Sequence, residues 1–310
     1  VITVLAGGVG AARFLAGLVR VVPPTEVTAV VNVADDVELH GLHVSPDLDT
    51  VTYTLAGAVD PARGWGLADE TWHAMEALAR YGDETWFSLG DRDLATHLHR
   101  TRRLREGAPL STVTAEITRA WGLRLRILPV SDDPVRTRVT LPEEGGLEVG
   151  FQEYFVRRRH AVPVSSVRFD GAEHARPAPG VLEALEGADR IVVAPSNPIL
   201  SIGPILALPA VAQALARRRD RVVAVSPIVA GAALKGPADR LLAELGHEPS
   251  VVGVARLYAP VAGTLVIDDA DRDRAGEVEA AGIRAVVAPT VMTGPDEASA
   301  LARTVIGTVP

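Results

Sequence analysis

An α/β fold of Rossmann type, with a mostly parallel sheet and an inserted, largely helical subdomain, is the architecture that the sequence predicts. Three observations carry it. The opening run Val1-Ile-Thr-Val-Leu-Ala6 is apolar and β-branched, and Gly7-Gly-Val-Gly10 turns it into a helical pattern with apolar residues at Phe14, Leu15, Leu18 and Val19. A second buried-strand pattern fills 27–33, and two strands joined by a helix imply a right-handed parallel crossover. Beyond Arg190 the same alternation of strand and helix returns.

Along the chain, helical patterns fill much of 48–58, 69–81, 91–102 and 111–121, with glycine and proline in the gaps. Segments 123–129 and 137–141 read as strands, Glu143-Glu-Gly-Gly146 as a hairpin turn and 151–160 as a short amphipathic segment. Strands are then expected at 191–194, 221–226, 264–267 and 285–288, with helices at 204–218 and 237–245. Both flanks read α/β and the middle does not. The expected organisation is a core of residues 1–67 and 181–310, with 68–180 inserted as helices and a β-hairpin.

Composition bounds the function. The 310 residues are 47% hydrophobic and 23% charged, ordinary for a folded globular chain of two modest domains or one large α/β unit. The net charge of −8 argues against a surface for duplex nucleic acid, and the Arg157–Arg159 cluster fits a solvated face better than a phosphate site. The absence of cysteine excludes disulfides, thiolate metal sites and a cysteine nucleophile, so a metal must sit on carboxylate, carbonyl or imidazole ligands. The uncharged stretch 191–216 is long enough for a bilayer, but Pro195, Pro198, Pro204 and Pro209 with Ser196 and Asn197 argue against a transmembrane helix. No export signal is evident, and a cytoplasmic location is expected.

Gly7-Gly-Val-Gly-Ala-Ala-Arg13 places Gly8 and Gly10 as in a dinucleotide-binding turn, but the third glycine is missing, which weakens a dehydrogenase reading. General anion binding survives: glycine admits a phosphate to the backbone, the helix start offers free N–H groups, and Arg13 adds charge. Asn32, Asp35 and Asp36 follow the second strand, at the sheet edge where open α/β folds bind ligands. In Ser45-Pro-Asp-Leu-Asp-Thr50, Asp47 and Asp49 share a face if extended and diverge in a helix; as a loop entering a helix they suit Mg²⁺, and helix capping explains them equally well. Asp91 stands near the cap of a helix on which Asp93, Thr96, His97 and Arg100 fall at spacings for one polar face, read first as capping. Ser196, Asn197 and Ser201 in a proline-rich loop can offer donors to phosphate or base, and Lys235, the only lysine, sits in a similar loop after the next strand. With no GxSxG elbow, Walker loop or histidine pair for zinc, metal-assisted phosphoryl chemistry fits best.

In order, GGVGAAR, NVADD, GLHVSPDLDTVTYTLAG, SLGDRDLATHLHRT, SDDPVRT, FQEYFV, APSNPILSIGPIL and SPIVAGAALKGPADRLL together resemble the 2-phospho-L-lactate transferase family over nearly the whole chain. The resemblance implies an enzyme of coenzyme F420 biosynthesis. It would move a phosphoenolpyruvyl or 2-phospho-L-lactyl unit from a GDP-activated donor to the ribityl hydroxyl of the deazaflavin Fo. The products would be dehydro-F420-0 or F420-0 and GMP. On that resemblance Asp47 and Asp49 are the catalytic and Mg²⁺-binding carboxylates. Gly8, Gly10, Arg13, Ser196, Asn197 and Lys235 meet the donor, and Asp91, Asp93, Thr96 and His97 meet the acceptor. A homodimer is the family-level expectation. The competing reading is a non-catalytic regulator of related fold that binds a nucleotide sugar.

Overall fold

Ile2–Ala6 (β1) and Val27–Val31 (β2) are buried at every residue. A strand apolar on both faces needs cover on both, which is the setting of a parallel sheet between helix layers. The computed structural model, which describes residues 1–308, joins them to Arg126–Pro129 (β3), Arg190–Val193 (β4), Val222–Val225 (β5), Thr264–Ile267 (β6) and Arg284–Val287 (β7) in one seven-stranded sheet. The order is β7-β6-β5-β4-β1-β2-β3, and every neighbouring pair is parallel. The chain adopts the fold class that its pattern predicts. It winds outward from β1 to β2 and β3, then returns to place β4 on the other side of β1. This reversal opens a crevice at the carboxyl ends of β1 and β4.

Helices Gly8–Leu18 (α1), Pro46–Leu55 (α2), His73–Arg80 (α3), Asp93–Arg105 (α4) and Leu110–Ala120 (α5) precede β3, and Val181–Gly187 (α6) leads into β4. Pro209–Arg217 (α7), Ala238–Glu244 (α8), Val251–Tyr258 (α9), Ala275–Ala280 (α10) and Pro295–Gly307 (α11) follow. Helix α1 packs on α2 and α11. At Gly17 an added Cβ would lie 2.4 Å from the Ala298 carbonyl carbon, so only glycine permits that approach of α1 to α11.

Three differences from the expected elements have local causes. The helix expected at 204–218 is broken: a π-helical turn at Pro198–Ile202 and a single turn at Gly203–Leu206 end before α7, which starts at Pro209 after a 90° bend. Pro209 lacks the N–H that a continuous helix would use, and it takes a first-turn position instead. Among the described residues no single helix is long and apolar enough to cross a membrane. Within the segment 68–180, β3 pairs with β2 and forms the edge of the main sheet, so the sheet runs into the stretch expected as an insertion. A short hairpin, Val37–Leu39 with Leu42–Val44, closes on His40 and Gly41, both at positive φ; His-Gly lacks the Asn-Gly cue of such turns.

The rest of 130–180 carries a three-stranded antiparallel sheet, Leu147–Gly150, Arg136–Leu141 and Ser166–Asp170. Its first turn falls where Gly145 and Gly146, both at positive φ, predicted one. Val139, Leu141, Val149 and Tyr154 of this layer pack with Leu200 and with Leu241 of α8 in a second core. Val44, Met75 and Leu89 make a third, smaller one.

Candidate active site

The glycine loop after β1 is locked to the loop after β4. Ser196 Oγ donates to the Gly7 carbonyl at 2.6 Å, and an added Cβ on Gly10 would lie 2.1 Å from the Pro195 carbonyl oxygen. Gly8, at φ +69°, donates its N–H to Asp47 Oδ1 at 2.9 Å. Asn197 Oδ1 accepts from the N–H groups of Ile199 and Leu200 and so caps the π-helical turn. Ser196 and Asn197 thus spend these groups on the backbone, the turn role weighed against ligand contact. The Asn197 amide nitrogen has no protein partner among the described residues.

Asp47 and Asp49 lie in the first turn of α2, so their side chains diverge. The structure does not bring them together. Asp47 faces the end of β2, where Asn32 Nδ2 donates both to Asp47 Oδ2 at 3.0 Å and to Asp35 Oδ2 at 3.1 Å. Asn32 Oδ1 accepts from the Ala34 N–H, which fixes the amide orientation. Asp35 also accepts from Thr137 Oγ1 at 3.1 Å, and Asp36 accepts from Ser45 Oγ at 2.8 Å and faces His43 Nε2 at 2.9 Å. All three carboxylates are buried, and neither Arg nor Lys pairs with any of them among the described residues. Burial pushes Asp47 up to about 6, opposed by the hydrogen bonds from Asn32 and Gly8. Burial and the neighbouring Asp47 charge push Asp35 well above the usual carboxylate range. One oxygen of Asp36 has no partner although buried. Such a cluster can hold a hard cation.

Asp49 has a cation already. Arg100 of α4 forks both terminal nitrogens onto its carboxylate and also approaches His97 Nδ1 at 3.3 Å. His97 is 1% exposed and sits between Asp49 at 3.7 Å and Asp93 at 3.3 Å, while the Tyr53 hydroxyl donates to Asp93 at 2.5 Å. The polar face expected for α4 is therefore turned inward onto α2, with Thr96 beside the Tyr53 hydroxyl. Asp49, Asp93 and His97 present ligand atoms within 4.8 Å of one another, a grouping that can hold a metal ion. The guanidinium of Arg100 already balances it.

Asp91 is placed elsewhere. Its carboxylate accepts from Thr71 Oγ1 and from the N–H groups of His73 and Ala74, capping α3. Glu70 returns the favour by accepting from the N–H groups of Arg92 and Asp93 at the start of α4.

The free cations sit over the glycine loop. A Cβ on Gly64 would lie 3.7 Å from Arg13 Nη2, 3.9 Å from Lys235 Nζ and 3.5 Å from Val9 Cγ1, so the two cations converge on one point. Neither has an acidic partner among the described residues. Arg13 and Lys235 therefore stand beside the same glycine loop whose Gly8 N–H is bound to Asp47. Sequence reasoning placed Asp35 at the ligand edge but did not pair it with Asp47. It set Arg100 on the polar face of α4 without pairing it with Asp49, and it missed Glu70; the partners of both are distant in sequence.

The family model described as 2-phospho-L-lactate transferase CofD matches residues 2–290. A phosphoenolpyruvate transferase of Streptomyces griseus is 48% identical over 307 residues, covering 97% of this chain and 96% of that one. One from Mycolicibacterium smegmatis is 43% identical over 315 residues, covering 97% and 96%. A crystal structure of a Bacillus halodurans protein titled as a member of the upf0052 family superposes with a TM-score of 0.63 at 17% identity, covering 98% of this chain and 99% of that one, a likeness of fold.

Proposed function

The chain belongs to the 2-phospho-L-lactate transferase family, and from that premise we propose that it transfers a phosphoenolpyruvyl unit from a GDP-activated donor to the ribityl hydroxyl of Fo, with Mg²⁺. The family match makes it a transferase of F420 biosynthesis; the names of the relatives favour the enolpyruvyl donor over the 2-phospho-L-lactyl one. One observation carries the chemistry. Among the described residues Asp35 and Asp47 are buried without an Arg or Lys partner, while Arg13 and Lys235, without an acidic partner, converge beside the glycine loop that Asp47 touches.

The Fo hydroxyl attacks the phosphorus that bears the three-carbon acid. A new P–O bond forms as the bond from that phosphorus to the oxygen of GMP breaks, and GMP leaves with that oxygen. The hydroxyl proton passes to Asp47, whose carboxylate lies against the glycine loop through the Gly8 N–H. Arg13 and Lys235 hold the donor phosphates, and the N–H groups at the start of α1 add to them. Asp35 and Asp47 would hold Mg²⁺, which when bound neutralises charge on the transferring phosphoryl oxygens. This shifts the cation from the Asp47 and Asp49 pair to Asp35 and Asp47, because Asp49 is matched by Arg100. Asp49, Asp93, Thr96 and His97 then position α2 rather than touch the acceptor.

The test is incubation with Fo and each guanosine-activated three-carbon donor, with Mg²⁺ or with chelator, followed by mass spectrometry of the deazaflavin and GMP. Product is expected only with metal, and Asp47→Asn should lower turnover by at least about a hundredfold. No deazaflavin product with any donor would overturn the reading.

A further inference from the structure

Residues 59–67 form a closed loop over the glycine turn. Val59 and Leu67 meet in a β-bridge, and the Asp60 carboxylate accepts from the N–H groups of Ala62 and Arg63 at 2.9 Å each. The Arg63 side chain is fixed at three points: the Asp60 carboxylate at 3.0 Å, the Leu67 carbonyl at 2.9 Å, and a place between two indoles, 5.4 Å from the Trp65 ring centroid and 5.3 Å from that of Trp72. Trp65 nevertheless stays 44% exposed. The Trp65 indole is thus stacked against the Arg63 guanidinium while much of its surface stays open to a ligand.

Gly64, the residue before Trp65, is the point on which Arg13 and Lys235 converge. Leu234, next to Lys235, is a second large apolar side chain left exposed, at 56%. Two cations without acidic partners among the described residues, beside exposed apolar groups, suit a planar ring system brought next to the phosphates of the reaction. We propose that Trp65 is a stacking platform for the planar ring system of a substrate whose reacting end lies at Arg13 and Lys235. The inference rests on the transferase reading, in which two such rings enter the crevice, the deazaflavin of the acceptor and the guanine of the donor. Arg63 positions the platform by holding its indole.

Calorimetric titration of the full chain with Fo alone and with GDP plus Mg²⁺ alone tests it, using wild type, Trp65→Ala and Trp65→Phe. Aromatic stacking is sequence-tolerant and strong enough that Trp65→Ala should weaken one ligand by about tenfold, with Trp65→Phe within about threefold of wild type. A loss confined to Fo assigns the platform to the acceptor; a loss confined to GDP assigns it to the donor. In turnover, KM for that substrate should rise while kcat stays within about twofold of wild type. Unchanged affinity for both ligands overturns the proposal, as does a loss of both that phenylalanine does not restore. Wild-type protein that binds neither ligand overturns the transferase reading itself, and the platform with it.

Discussion

Asp35 shows how a residue can be set against its own protein. Its carboxylate is buried, its pKa is held well above the usual range by burial and by Asp47, and no cation offsets its charge. A carboxyl whose pKa is raised by folding destabilises the folded state above that pKa, and the penalty disappears as pH falls through it. Asp35→Asn keeps the shape and can be satisfied, since its amide oxygen can accept from Asn32 while its nitrogen donates to the Thr137 hydroxyl. In the absence of divalent metal the variant should therefore melt higher than wild type at neutral pH, by roughly 2 °C per kcal/mol gained, while losing turnover. Thermal melts should show the gap closing as pH is lowered. The candidate residues were only partly legible in sequence for the same reason: the spacing of Asp47 and Asp49 is visible, but a helix sends them apart, and the partner of each comes from a distant segment.

The helices expected at 48–58, 69–81, 91–102, 111–121 and 237–245 start within a few residues of the observed ones, whereas α6, α9, α10 and α11 carried no expectation and the caps could not be read. Trp72 and Arg92 precede α3 and α4, and neither provides a capping side chain. The caps come across the hairpin, Asp91 for α3 and Glu70 for α4. Local patterns find a cap within three residues of a helix start, so this exchange lies outside their reach. Asp91→Ala should lower stability, felt first at α3, because several donors at its N-terminus lose their acceptor together. Hydrogen exchange should quicken in His73–Arg80 and leave the strands of the main sheet protected. Uniform loss of protection would show instead that Asp91 supports the whole molecule.

At the scale of the molecule, the sheet was the most legible feature, because continuous apolar runs such as Thr264–Ile267 survive any reading frame for turns. Less legible was β3, which follows a helical stretch and whose membership of the sheet depends on a pairing with β2 across most of the helical segment. The same topology brings Asn32 and Asp35 from the end of β2, Asp47 from α2 and Gly8 from α1 to one place. A cation bound there ties several elements together and should raise the melting temperature of the whole chain, in proportion to the logarithm of its concentration once saturating. Mg²⁺ titrated into chelator-treated protein should do so for wild type and fail for Asp35→Asn. An equal rise in both would place the cation elsewhere.

The central position of β1 has a consequence for synthesis. On the ribosome β1 emerges before its partners and finds β2 soon after, but its other neighbour, β4, begins only at Arg190. Until then a strand of five buried residues, four of them apolar, keeps one edge open, the kind of template on which nascent chains pair wrongly with one another. A fragment ending after β3 would keep that edge permanently, so the first half of this chain cannot be produced as an independent soluble unit without a substitute for β4.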